Sequence, residues 1–237
     1  MRSLLLAVIA ALSLATPASA DVEVDGQHWH NIFVQGRLTA PTLSSSSTSA
    51  PSPALFYLEL QPRWSLSQMR PDRALLRAAV GWELVRAPGR SLSLWAGAAA
   101  IPSFTAPNWN VNETRLWQQL MYVDRLGDLQ LVWRGRLEQR AFEGAADDAS
   151  LRVRAMLRAV YTLPFGDARW KLVAFDEYFV GVAGPTTRLG FDQNRAFVGV
   201  LHQLAPWFSV EGGYLHVNVG SERVLPTLLI QTAVNLM

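Results

Sequence analysis

Between Leu129 and Arg140 the chain changes character at every residue. Leu129, Leu131, Trp133, Gly135 and Leu137 share one face, and Gln130, Val132, Arg134, Arg136, Glu138 and Arg140 share the other. A period of two belongs to a β-strand, whose successive side chains stand on opposite faces. A helix would scatter these arginines around its axis. The segment from Leu151 to Tyr161 repeats the pattern, with Leu151, Val153, Ala155, Leu157, Ala159 and Tyr161 opposed to Arg152, Arg154 and Arg158. Strands of this kind must build a sheet with one apolar and one charged face.

Further stretches alternate in the same way. Ile32, Val34 and Leu38 oppose Asn31, Gln35 and Arg37. Phe56, Leu58, Leu60 and Trp64 oppose Tyr57, Glu59, Gln61 and Arg63. Leu76, Ala78, Val80, Trp82 and Leu84 oppose Arg77, Gly81 and Glu83, and Leu92, Leu94, Ala96 and Ala98 oppose Ser91, Ser93 and Gly97. Less regular strands fit Glu113 to Val123, Trp170 to Gly181, Arg195 to Gln203, Trp207 to Val217 and Thr227 to Leu236. Asp176 and Glu177 are adjacent, so one of them faces outward unless a bulge intervenes.

Composition decides which face meets water. Hydrophobic residues make up 50% of the chain and charged ones 17%, against about 25% charged in an ordinary soluble domain. After the first 20 residues no apolar run approaches the 18 or so needed for a spanning helix. A membrane protein without such helices must be a closed barrel, because only helices and closed sheets satisfy every backbone group in lipid. The charged faces then point inward. The net charge of +2 is too small to indicate a nucleic-acid partner. The basic residues are arginine except for Lys171, and the planar, weakly hydrated guanidinium suits enclosed ion pairs. Genome base composition is an alternative origin for that bias.

Residues Met1 to Ala20 read as a cleaved signal peptide: Arg2 precedes an apolar core from Leu4 to Leu14, and Ala18-Ser19-Ala20 is a small-residue cleavage site. Residues 21–237 then form an outer-membrane β-barrel exported from a Gram-negative cytoplasm. There is no cysteine, so neither disulfides nor thiolate metal sites contribute.

Short turns at Ala87 to Arg90, Asp124 to Asp128 and Pro164 to Asp167 carry the Gly, Pro and Asp expected of turns. They alternate with longer connections at Pro102 to Asn112, Phe142 to Ala149 and Val182 to Asn194, as in an outer-membrane barrel. The alternation slips at the connection Thr39 to Ala54, which contains the low-complexity segment Leu43 to Ser52. About eleven strands can be counted. An even number with both termini on one side predicts ten or twelve.

Several phrases in chain order resemble a family of uncharacterised bacterial outer-membrane barrels known as domain of unknown function 2490: Trp29-His30-Asn31, Leu60 to Trp64, Glu113 to Gln119, Arg136 to Arg140, Phe175 to Phe179, Asn194-Arg195 and Glu211 to Tyr214. The resemblance implies a barrel and an outer-membrane address, and no activity. The chain departs from common barrel practice by ending in Met237 rather than an aromatic residue.

The expected fold is therefore an all-β transmembrane antiparallel barrel with a polar Arg/Glu-lined interior. The lumen-lining candidates are Glu59, Arg63, Arg77, Glu83, Glu113, Arg115, Arg134, Arg136, Glu138, Arg140, Arg152, Arg154, Arg158 and Glu211. Two readings of them stay open. In one, they pair across a narrow lumen and plug it, as small barrels allow. In the other, excess arginine makes a narrow, porin-like channel that favours small anionic solutes.

Enzymatic activity is not expected. Ser209 and Glu211 share one face and His216 falls on the other, and roughly 23 Å of strand separates Ser209 from His216, far beyond the hydrogen-bond reach a triad needs. A lipid hydrolase would have to bring Ser and His together from different strands. His28 and His30 share a face, but no third ligand is evident, so they are assigned with Trp29 to the membrane interface. No catalytic, metal or cofactor site is expected, and the expected partner is outer-membrane lipid. Trp64, Trp82, Trp109, Trp117, Trp133, Trp170 and Trp207 are assigned to an aromatic girdle. The competing architecture is a soluble periplasmic ligand-binding β-barrel with apolar faces inward.

Overall fold

The computed structural model describes residues 23–38, 53–104, 110–143, 149–165, 167–184, 188–220 and 223–236. The signal segment, the serine-rich segment, Trp109 and Met237 lie outside the described residues. Twelve strands form one closed sheet: β1 (Glu23–Val24), β2 (Gln27–Arg37), β3 (Ala54–Ser65), β4 (Arg70–Ala87), β5 (Arg90–Ser103), β6 (Asn110–Leu126), β7 (Leu129–Phe142), β8 (Ser150–Thr162), β9 (Trp170–Ala183), β10 (Gly190–Ala205), β11 (Phe208–Val219) and β12 (Arg223–Leu236).

The wall is an up-and-down meander from β2 to β12, each strand antiparallel to the next. The upper expected count of twelve is met only with β1, a two-residue piece that continues the line of β2 after a break at Asp25-Gly26. Eleven strands make the circuit. Closure therefore joins β2 to β12 in parallel, from Thr227↔Gln27 to Leu236↔Gly36. The start of β2 and the end of β12 thus lie at opposite ends of the barrel, contrary to the expectation that both termini share one end. An odd wall can close only through one parallel seam. Here Asn31 donates to Gln231 at 3.2 Å and Gln35 to Asn235 at 2.7 Å across it.

The less regular strands extend beyond their expected limits. Strand β10 begins at Gly190, although 182–194 reads as loop, because backbone pairing with β9 continues through polar Gln193 and Asn194. Of the adjacent carboxylates, Glu177 points inward and Asp176 outward, where Asn194 Nδ2 donates to it at 2.6 Å.

The outer face is apolar. Leu58, Leu76, Val80, Leu94, Leu116, Leu120, Val198 and Leu228 are all exposed on it. At the end that carries the short turns 88–89, 127–128 and 206–207, Trp82, Tyr122, Trp133, Tyr161, Trp170 and Trp207 form an outer aromatic ring, with Trp170 stacked on His202 at 4.0 Å. Toward the other end, Trp64 packs against His28, and Tyr178 against Phe191. Apolar bands flanked by aromatic rings are the outer surface of a transmembrane barrel.

Two assignments to that surface are corrected. Trp29 and Trp117, each 2% exposed, stand inside the barrel. Their parity places them with Gln27 and Asn31, and with Arg115 and Gln119; the lumen has room for the Trp117 ring because the facing position is glycine, whereas Trp29 faces Arg63 and Leu229. Trp117 covers Gly97 and Trp95 covers Gly81; a Cβ at either glycine would come within 2.5 Å of the ring. The interior holds two apolar clusters. One gathers Trp29, Val173, Phe197, Leu215, Val217 and Leu229, and the other Leu55, Ala79, Trp95 and Trp117.

Candidate functional site

Between these apolar clusters the charged side chains meet, because inward positions on neighbouring strands are in register. Strand β8 sets Arg152 against Glu138 and Arg154 against Arg136 of β7, and β6 sets Gln119 against Arg136 and Arg115 against Arg140. Glu138, 1% exposed, is the hub. It accepts hydrogen bonds from Arg152 Nε at 3.1 Å, Arg152 Nη2 at 2.6 Å and Arg154 Nη1 at 2.6 Å. Arg115 and Arg136 approach it at 3.8 and 3.7 Å.

The other inward carboxylates extend the network around the wall. Glu177 takes Arg134 at 2.7 Å and Arg154 at 2.8 Å. Glu113 is clamped by Arg115 through both oxygens, at 2.8 and 2.9 Å, and also accepts from Arg140. Glu59 binds Arg77 and accepts from the Tyr57 hydroxyl at 2.6 Å. Glu83 pairs with Arg37, and Arg152 also reaches Asp192 at 2.9 Å. Glu211 takes Arg158 at 3.1 Å and the Gln231 amide at 2.6 Å. A charge out of water is costly unless paired and hydrogen-bonded, and these side chains are held to that condition by strand register.

All fourteen residues expected to line the lumen point inward, and thirteen of them join ion pairs; the exception is Arg63. Arg37, Glu177, Asp192, Arg195 and Gln119 belong to the same interior and were not singled out from the sequence. Arg195 was obscured by its neighbours: the inward set on β10 includes Phe197 and Leu201, so apolar and charged residues share one face and the alternation blurs. Glu177 was legible only as one of an undecided pair.

The model of the family described as "Protein of unknown function (DUF2490)" matches residues 26–223. The chain belongs to this family. An uncharacterised protein of Methylorubrum extorquens is 29% identical to this DUF2490 barrel over 216 residues, covering 90% of the chain and 87% of the relative. A solved structure titled outer-membrane expressed OmpT of Vibrio cholerae aligns with a TM-score of 0.43 and 13% identity, over 74% of this chain and 61% of that one.

The DUF2490 interior is built for ionic cross-linking. Among the described residues no group of three His, Asp or Glu side chains is placed to hold a metal. Ser209 and Glu211 are buried inside. His216 lies on the outer face between the Tyr214 hydroxyl and Asn218, at 3.1 Å from each. His28 and His30 also face outward, where His30 meets the Thr232 hydroxyl at 3.2 Å.

Proposed function

We propose that this protein is a closed, non-enzymatic barrel of the bacterial outer membrane, whose lumen is plugged by its own ion-pair network rather than open as a pore. The observation that carries the reading is the burial of Glu138 among Arg115, Arg136, Arg152 and Arg154 inside the barrel. Two apolar clusters fill further parts of the interior. A water-filled channel would leave these groups solvated. The outward apolar band and its aromatic rings support the membrane address and weigh against a soluble ligand-binding barrel, in which those side chains would face inward. Membrane insertion matches an exterior short of charge with an interior rich in it.

Planar-bilayer recording from the purified, folded barrel tests the plug. The expected result is no current above background at moderate voltages. Stable unitary steps with anion-selective reversal potentials would establish the channel instead. Fractionation tests the address: the full chain should be recovered with outer-membrane lipid, and recovery in the soluble periplasm would refute membrane insertion.

A further inference from the structure

Most arginines of the lumen are neutralised in the fold, but Arg63, one of the lumen-lining candidates, and Arg195 are not. Arg63 on β3 and Arg195 on β10 have no carboxylate within 4.0 Å among the described residues. Both guanidiniums are applied to the same indole, Arg63 at 3.9 Å and Arg195 at 5.0 Å from the Trp29 ring centroid. Each makes one side-chain hydrogen bond, to a neutral glutamine two residues away on its own strand: Arg63 to Gln61 at 2.8 Å and Arg195 to Gln193 at 3.5 Å. The Nε of each is buried without any partner.

Other arginines in the lumen also carry an orphan nitrogen, but Arg77, Arg134 and Arg136 each contact a glutamate. Arg63 is opposed by a further cation, Arg73, in the register of β3 and β4, and Arg195 by Glu177 in that of β9 and β10, but the Glu177 carboxylate is already held by Arg134 and Arg154. Two like charges held on one ring, with donors left open, repel each other and lack what a guanidinium binds best: a planar or tetrahedral oxyanion. Neither residue is fully enclosed, so both keep access to water.

We infer that Arg63, Arg195 and Trp29 form an anion-binding site inside the barrel that takes a small oxyanion of the phosphate type, either as a free solute or as the headgroup of a lipid. Arg63 lies against the Trp29 ring, and Arg195 lies between that ring and the Phe179 ring at 4.7 Å, so aromatic contacts stand where a carboxylate would and leave N–H groups for the ligand. The site does not depend on an open lumen, so it stands or falls separately from the plug.

The test is calorimetric titration of the full, folded barrel in neutral detergent at low ionic strength. Inorganic phosphate reports a free solute, and a water-soluble short-chain phosphatidate reports a headgroup. Saturable binding of at least one, weakened by added salt, is the expected result. Arg63→Gln and Arg195→Gln should each weaken it roughly tenfold or more, the worth of one charge-assisted contact. Because neither arginine has an ion-pair partner, both variants should still fold to the heat-modifiable form that marks a closed barrel. Should either fail to fold, the lysine variant at that position, Arg63→Lys or Arg195→Lys, takes its place; it keeps the charge but loses the planar fork and should still weaken binding, and undiminished binding by it would overturn the inference. Absence of saturable binding of both probes to the wild type overturns the inference, as does undiminished binding by the double variant.

Discussion

Replacing Glu138 gives the most direct test of the lumen network. Glu138→Gln keeps the shape of the side chain and one acceptor oxygen but removes the charge shared by Arg152 and Arg154. Removing one partner of a buried ion pair costs about 3–5 kcal/mol. Here both arginines keep a second carboxylate, Asp192 at 2.9 Å and Glu177 at 2.8 Å, so the cost should sit near the lower end, about 3 kcal/mol. Glu138→Leu also removes the acceptors of three guanidinium N–H bonds. At about 1 kcal/mol for each stranded donor, its cost should reach about 6 kcal/mol. Urea unfolding of the barrel in micelles, followed by tryptophan fluorescence, measures both through the midpoint shift at unchanged slope. If Glu138→Leu unfolds within about 1 kcal/mol of the wild type, the network is not what holds the interior together.

Three further outcomes follow from particular contacts. Gly97→Ala forces a Cβ to within 2.5 Å of the Trp117 ring and the Ala78 carbonyl, and should cost about 1–3 kcal/mol by overpacking in the same urea assay. Leu116→Arg, at a position 61% exposed on the outer face, should destabilise the barrel by about 2–4 kcal/mol in lipid bilayers; a change within about 0.5 kcal/mol, normal for a water-facing site, would contradict membrane insertion. Asp25, in the break between β1 and β2, is held below the usual carboxylate range. Burial alone would raise it, but hydrogen bonds from Ser67, Gln27 and Ser65 and the Arg223 guanidinium outweigh burial. Its stabilisation is therefore complete above the unfolded value of about 4 and lost as pH falls through the lower folded value. Asp25→Asn should abolish that acid-side loss, measured as thermal midpoint against pH.

The residues that were most readable before folding lie on strands where one face carries a run of charges and the other is nearly free of them. On β7 and β8 all the charged residues fall on the inward set and the outward set is almost wholly apolar, so parity alone named Arg134, Arg136, Glu138, Arg152 and Arg154 as lumen residues. Where the lumen admits apolar rings the signal fails. Trp117 resembles a girdle residue until Gly97, which receives its ring, is known, Trp29 does so until it is found between Arg63 and Leu229, and Arg195 is masked by Phe197 on its own face.

Alternation by itself determined the strand class, the facing of most side chains and the need for closure, because a two-residue period and the demand to satisfy the backbone in lipid are local properties of the chain. Tertiary structure alone decided the parity of the wall, the parallel seam between β2 and β12, and which charges cancel. Pairing depends on register between strands far apart in sequence, such as Arg158 with Glu211 and Arg134 with Glu177. That same register sets Arg195 across from Glu177, but Glu177 is taken by Arg134 and Arg154, and Arg63 and Arg195 are left beside one tryptophan without an ion pair.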